Sequence, residues 1–405
     1  MWCFEVQVLG ILSFIISLLT LSSTASYSST LQPKADTKTI NSHMIKTIQS
    51  EDGDIIDCID LYKQPAFDHP ALRNHTIQMA PSYNKAAEKN NDDINNREIR
   101  ISQVWKRSGM SCPKGTIPVR RGTINSKLTT TAANIIRKTP PHHSHNNNNL
   151  SLLQTNHSKA ILLTVGYRYL GAKGDIKVCY PQVEKDDDYS TSQVTLSNGD
   201  YNDYESVESG WAVNPRLYGD RQTRFFVYWT SDGSKTSGCF DLTCPGFVQT
   251  SNEIALGAAI YPTSFPHDLS YEITIYIFKD AETSNWWVEY GNRIKIGYWP
   301  GELFKELRSN ADSVEWGGEV YSDRVGHTPH SSTAMGNGRF PEGMYGNSGY
   351  IKRIRIHDNS LYLKFPEWVE TYTDEYNCYD VDYVGDYIAD PEFYYGGPGR
   401  NPICP

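Results

Sequence analysis

Two glutamates in this sequence are placed so that they could do chemistry together. Glu208 lies in Val207-Glu208-Ser209-Gly210-Trp211, and Glu319 in Trp316-Gly317-Gly318-Glu319-Val320. Each stands near tryptophan, whose ring removes water from around a carboxylate, and near glycine, which lets a substrate backbone come close. Desolvation and a second nearby carboxylate both favour the protonated acid and raise one pKa of such a pair. One member is then ionised while the other holds a proton, as a general base and a general acid require. Taken singly, either glutamate has a plainer reading as a strand-edge residue with a solvated carboxylate.

Other chemistries find less support. There is no GxSxG elbow, no HExxH, no phosphate-binding P-loop and no GxGxxG after a strand. A cysteine nucleophile needs a thiolate beside histidine, and the spare cysteine, Cys179, falls in the strand-like Asp175–Tyr180, where a packed thiol is expected. The members of a serine triad need not be neighbours, but His267, His327, His330 and His357 read as loop or surface residues. No cysteine spacing is CxxC, and His142, His143 and His145, followed by four asparagines, read as a solvated stretch. No metal and no organic cofactor is expected.

The elements that must position the acids are strands. Tyr271–Phe278 alternates Ile273, Ile275 and Ile277 with Glu272, Thr274 and Tyr276, while Ile354 and Ile356 alternate with Arg353 and Arg355. Further β-rich runs are Ala160–Val165, Ile176–Tyr180, Arg224–Trp229 and Trp286–Tyr290, divided by Gly, Asp and Asn. Many short strands with frequent turns predict an all-β, antiparallel two-sheet sandwich or a barrel. One helix is predicted over Pro300–Ala311, with Leu303, Phe304, Leu307 and Ala311 on one face. No repeat of 20 to 50 residues is visible, which argues against a propeller or solenoid.

The chain begins with Met1 and an uncharged apolar run, Val8–Leu21, followed by small residues. A membrane span needs ~20 apolar residues, so residues 1–25 read as a secretory signal, and an anchor is not expected. Cys58, Cys112, Cys179, Cys239, Cys244, Cys378 and Cys404 then leave three disulfides and one thiol. Sequons at Asn74, Asn149 and Asn156 fit a secretory route. Residues 26–138 form a leader and a small unit, residues 139–157 a low-complexity linker, and residues 158–405 the main domain. Residues 97–138 hold ten Lys/Arg and one acid, Glu98, whereas residues 139–405 carry 35 acidic and 21 basic side chains. Nucleic acid is therefore a poor partner for the whole chain, and the basic segment is suited to partner the acidic domain within the molecule.

A family resemblance sharpens this reading. Gly210-Trp211-Ala212-Val213-Asn214-Pro215, Leu217-Tyr218-Gly219-Asp220, Arg224-Phe225-Phe226 and Tyr228-Trp229-Thr230 resemble the neprosin catalytic domain. The likeness continues through Gly238-Cys239, Cys244-Pro245-Gly246-Phe247-Val248, Asn285-Trp286-Trp287, Gly297-Tyr298-Trp299-Pro300, Trp316–Val320 and Phe340-Pro341. Upstream, Cys58-Ile59-Asp60, Gln64-Pro65-Ala66-Phe67 and Cys112–Arg121 resemble that family's activation peptide. The resemblance implies a plant-type glutamic endopeptidase that cuts next to proline in acid, with a β-sandwich and a propeptide over its cleft. It places the catalytic pair on Glu208 and Glu319 and the disulfides on Cys58–Cys112, Cys239–Cys244 and Cys378–Cys404. Trp211, Tyr228, Trp229 and Trp316 are then candidates for a proline-accepting wall. The chain departs from the family at Ala334, Arg339, Asp241 and Cys179.

The expected partners are proline-containing peptides or proteins and the chain's own propeptide. A monomer, secreted to the cell wall or apoplast or sent to a vacuole, is expected. A glycoside hydrolase, which also uses two carboxylates, and a non-catalytic sandwich binding carbohydrate through exposed tryptophans are the alternatives.

Overall fold

Strand after strand in this chain places apolar side chains at every second position, so each sheet has one face to bury. The computed structural model describes residues 44–82, 87–88, 102–107, 109–122, 156–200, 203–265, 269–360, 362–385 and 390–405. The signal segment, the leader to residue 43, the linker as far as residue 155, Asn149 and His267 lie outside the described residues.

Two sheets dominate, antiparallel except where Ala87–Glu88 pairs in parallel with Tyr362–Lys364. The seven-stranded sheet runs Cys239–Phe240, Arg224–Thr230, Glu205–Val213, Tyr189–Asn198, Ala311–Tyr321, His157–Tyr169 and Glu370–Thr373. The ten-stranded sheet is built around Trp286–Tyr290, Glu272–Lys279, Gly171–Lys177 and Gly349–His357. Leu162, Val194, Val207, Phe225 and Val314 from the first share one apolar cluster with Ile176, Ile275, Val288, Ile296 and Ile351 from the second. The arrangement is the predicted sandwich, closed by interdigitation of two alternating faces.

The tryptophans lock the two layers together. Trp211 Nε1 donates to the Lys177 carbonyl and Trp316 Nε1 to the Lys173 carbonyl, both in the opposite sheet. Each large side chain so buried contributes roughly 1.5–3 kcal/mol. Among the described tryptophans only Trp368 is exposed.

The described residues of 44–82 and 102–122 add a smaller layer. Met44–Gln49, Ile55–Asp60 and Thr116–Arg120 form a three-stranded antiparallel sheet, stapled by Cys58–Cys112. Two glutamine side chains dock this layer by imitating a strand. Gln64 accepts from Gln249 N and donates to Gln249 O, and Gln103 accepts from Ala255 N and donates to Ala255 O. Asp54 meets Arg224, whose side chain is fully buried, at 2.7 Å. Cys239–Cys244 and Cys378–Cys404 are also joined, and Cys179 is free and buried, with burial pushing its thiol up to about 12.

The predicted helix over Pro300–Ala311 is absent. Only Gly301–Leu303 winds into a 3-10 turn, and Ala311 opens a strand. The Glu205 carboxylate accepts from the backbone N–H groups of Lys305, Glu306 and Leu307, holding that segment as a loop. The linker boundary also needs correction: His157 is the first residue of a 13-residue strand, not solvated linker. His330 does lie in a loop but is buried, and His357 is the buried last residue of the strand Gly349–His357.

Candidate active site

The register of the seven-stranded sheet decides which side chains meet. Glu208 pairs with Thr195 and Glu319 with Thr191, both on the intervening strand Tyr189–Asn198. Thr191 and Thr195 are four residues apart, so both glutamates project from the same face of the sheet. Between their rows lies Gly210-Gln193-Gly317, one residue from each strand. Two glycines leave that row bare beside the glutamates. A side chain at Gly210 would come within 1.9 Å of the Ser192 carbonyl, and one at Gly317 within 2.3 Å of the Ala160 carbonyl.

The tryptophan argument fails on the same parity. Trp211 is three residues from Glu208 and Trp316 three from Glu319, and an odd spacing puts each ring through the sheet on its inner side. Trp211, Trp229 and Trp316 belong to the sandwich core, so none of the three walls a cleft. Tyr228, also fully buried, lies directly opposite Glu208 on the neighbouring strand. Desolvation comes instead from phenols and from the sheet itself, and Glu208 and Glu319 are 4% and 1% exposed.

Around Glu319 the partners are specific. His157 Nδ1 lies 2.7 Å and Tyr189 Oη 3.1 Å from the same oxygen, Oε1. Glu208 Oε1 accepts from Ser206 Oγ at 3.1 Å. A third acid, Glu315, pairs with Lys159 at 2.9 Å with both side chains buried. Burial works against the Lys159 ammonium, but Glu315, Glu319 and Glu208 together outweigh it and hold its pKa above the ordinary lysine value.

The two carboxylates also act on the same phenols. Burial first, and then both glutamates, push Tyr189, Tyr204 and Tyr228 upward. Lys159, directly opposite Glu319 on the neighbouring strand, is likewise acted on by both carboxylates. Three acids and one ammonium on a buried face make full ionisation costly, since an uncompensated buried charge is expensive.

Sequence reasoning missed His157, Lys159 and Glu315. His157 and Lys159 sit at the edge of the low-complexity stretch, and Glu315 sits four residues before Glu319 on the same strand. The one available signal was the alternation Glu315, Gly317, Glu319, which marks a polar face.

The remaining candidates lie around and beyond this face. Met335 packs beneath Gly318 from the inner side, so the Ala334–Gly336 departure touches the underside of the Glu319 strand. Arg339 is exposed and donates to Asn347. Asn74 is exposed, whereas Asn156 is half-buried. No metal cluster apart from His330 with Cys378 and Cys404 is found among the described residues, and those two cysteines are disulfide-bonded.

Fold and site together define a two-sheet β-sandwich with a buried, acid-rich face and an amino-terminal layer docked against it. Residues 186–398, more than half of the chain, match the neprosin family, and residues 47–162 match the neprosin activation peptide. The chain belongs to the neprosin family and is a glutamic peptidase with a zymogen layout. Among solved structures it is similar to scytalido-glutamic peptidase bound to a peptide-based transition-state analogue, at 10% identity. That match covers 60% of this chain and 98% of the other, with a TM-score of 0.32. It is also similar to SCP-B, a member of the eqolisin family, in complex with the tripeptide Ala-Ile-His, at 8% identity, 59% and 96% coverage and a TM-score of 0.30. The chicken-liver agglutinin CG-16 matches at 12% identity, 40% and 91% coverage and a TM-score of 0.21. Likenesses this loose transfer no residue role.

Proposed function

We propose that Glu208 and Glu319 are the catalytic pair of an acid-acting endopeptidase that cuts next to proline and is made as a secreted zymogen. The observation that carries the reading is the shared face: two buried glutamates from strands flanking Tyr189–Asn198, acting on the same phenols and the same lysine. One carboxylate takes a proton from water while the other donates a proton to the substrate carbonyl oxygen. No residue of the pair needs a cofactor for this.

The amino-terminal layer supports the zymogen part of the reading. Its strand-like clamps on Gln249 and Ala255 and its buried ion pair with Arg224 anchor it to the domain that it would restrain. The basic segment is a weaker latch than its charge suggested. In its described part Arg120 and Arg121 pair with Asp54 and Asp57 of the same layer, and Lys106 reaches Glu253 of the main domain.

The test is to incubate the processed protein with proline-containing peptides and with polysaccharides across pH 2–8 and to map the products by mass spectrometry. Peptide cuts clustered at proline and confined to acid support the reading. Sugar release, or cuts indifferent to proline, would remove it.

A further inference from the structure

Resting on the assignment of Glu208 and Glu319 as the reacting pair, we infer that Gln193 is a substrate-binding residue of the same site, its carboxamide clamping the backbone of one residue of the bound peptide. Gln193 is 3% exposed, and its Oε1 has no hydrogen-bond partner among the described residues. Buried side-chain oxygens are in the large majority paired, and one left unpaired costs stability. An acceptor held in that condition suits a donor that arrives with the substrate.

Its place in the sheet says where that donor comes. On the strand Tyr189–Asn198, Thr191 stands opposite Glu319 and Thr195 opposite Glu208, and Gln193 is midway between them. Strand alternation puts all three on the face that carries the acids. Gln193 is thus a diagonal neighbour of Glu319 on one side and of Glu208 on the other, at roughly 7–8 Å. Directly beside it, where a side chain could have bonded its amide, stand Gly210 and Gly317. Neither position admits a Cβ without collision with a carbonyl oxygen of an adjacent strand, so the gap on either side of the amide is not filled from the sheet. Two other unpaired oxygens on this face, Ser197 Oγ and Ser313 Oγ, stand opposite each other one row beyond Glu208, outside the span between the two acids. Gln193 shares the burial of the glutamates in the zymogen, so a peptide reaches all three together after processing.

A carboxamide matches a peptide group, since each offers an N–H and a carbonyl oxygen. This chain uses the match twice, where Gln64 and Gln103 each accept from the N–H and donate to the carbonyl of one residue, Gln249 and Ala255. Gln193 does the same to the substrate: Oε1 accepts a backbone N–H, and Nε2 donates to the carbonyl of the same residue. Proline has no N–H to give, so the clamped residue is another one, one or two positions from the bond that is cut. Holding it fixes the register of the peptide against the two carboxylates, as orientation of a reacting bond demands. The amide is neutral and moves no proton.

The experiment uses processed enzyme, its Gln193→Met variant, and Glu208→Gln and Glu319→Gln as controls, on one proline-containing peptide that the parent cleaves and on ester analogues of it. In each analogue one non-scissile peptide N–H, one or two residues from the cut, is replaced by oxygen. With the parent, one analogue should lose about tenfold in kcat/KM, the effect of one missing hydrogen bond. Gln193→Met should cut the unmodified peptide about tenfold more slowly, treat that analogue and the peptide alike, and keep the parent's pH limbs. If Gln193→Met does not fold, the ester series on the parent decides, and an absence of any position-selective loss overturns the inference. Parent-like cleavage by folded Gln193→Met, or an ester penalty that persists in it, also overturns the inference, while inactive Glu→Gln controls leave the pair standing. Active controls, or a parent inert to every peptide, would sink the functional reading and the inference with it.

Discussion

Replacing Asp54 by Asn should loosen the amino-terminal layer by an amount set by one buried contact. Asp54 Oδ2 accepts from Arg224 Nη1 at 2.7 Å, and Oδ1 accepts from Arg120 Nε at 2.8 Å. Arg224 has no exposed side-chain surface, and Asp54 has 5%. Removing one partner of a buried pair costs about 3–5 kcal/mol because the other charge is left uncompensated. Arg224 keeps Asp220 and the Gly257 carbonyl, so the lower end, about 3 kcal/mol, applies. At about 2 °C per kcal/mol for a domain of this size, the zymogen should melt roughly 6 °C lower. The assay is calorimetry of the parent and Asp54→Asn zymogens at neutral pH, each repeated after processing. Asp54 leaves with the activation segment, so the processed samples should melt alike. A double-mutant cycle with Arg224→Gln should show strong non-additivity. An unchanged zymogen melting point, or additive single effects, would refute the reasoning.

Burial pushes the Asp241 carboxyl up to about 7 from its usual 3.8, against the opposing hydrogen bonds from Tyr218 and Val227. Below pH 3.8 folded and unfolded chains both hold this proton. Between 3.8 and about 7 only the folded chain does, so stability falls as pH rises, by about 4 kcal/mol in total. Asp241→Asn should therefore melt like the parent at pH 3 and well above it at pH 8, and a gap independent of pH would contradict this. Lys159→Met should lower the urea midpoint by the equivalent of ~3–5 kcal/mol, because Glu315 loses its buried ammonium. Adding Glu315→Gln should recover most of that loss. Replacing both Cys58 and Cys112 by Ser opens a loop of sequence separation 54, which chain entropy values at roughly 4 kcal/mol. Unfolding of the zymogen by urea should show a shift of that size.

The strands are legible in the sequence because alternation is a local signal. The β-rich run Trp286–Tyr290 matches the observed strand at both ends, and Tyr271–Phe278 is displaced by one residue from the observed Glu272–Lys279. The glutamates are legible as candidates, but the tryptophans beside them do not desolvate them. Those rings stand at odd spacing from the acids, and the spacing alone assigns them to the opposite face of each strand. The helical reading of Pro300–Ala311 fails because Leu303, Phe304, Leu307 and Ala311 satisfy a helical period, while nothing nearby in the chain announces that Glu205 binds three of the segment's N–H groups. His157 escapes notice because its partner lies 162 residues away, and a histidine bordering a polar tract carries no local sign of burial.

Peptide cleavage by processed Glu208→Gln and Glu319→Gln proteins, measured at the acid optimum beside the parent, bears most directly on the pair. Glutamine keeps the shape of each side chain but neither gives up nor takes a proton. Both variants should fold, melt within a few degrees of the parent, and lose at least about a thousandfold in kcat/KM, a loss within the range expected for a positioned acid or base. Either variant cleaving within tenfold of the parent would contradict the account.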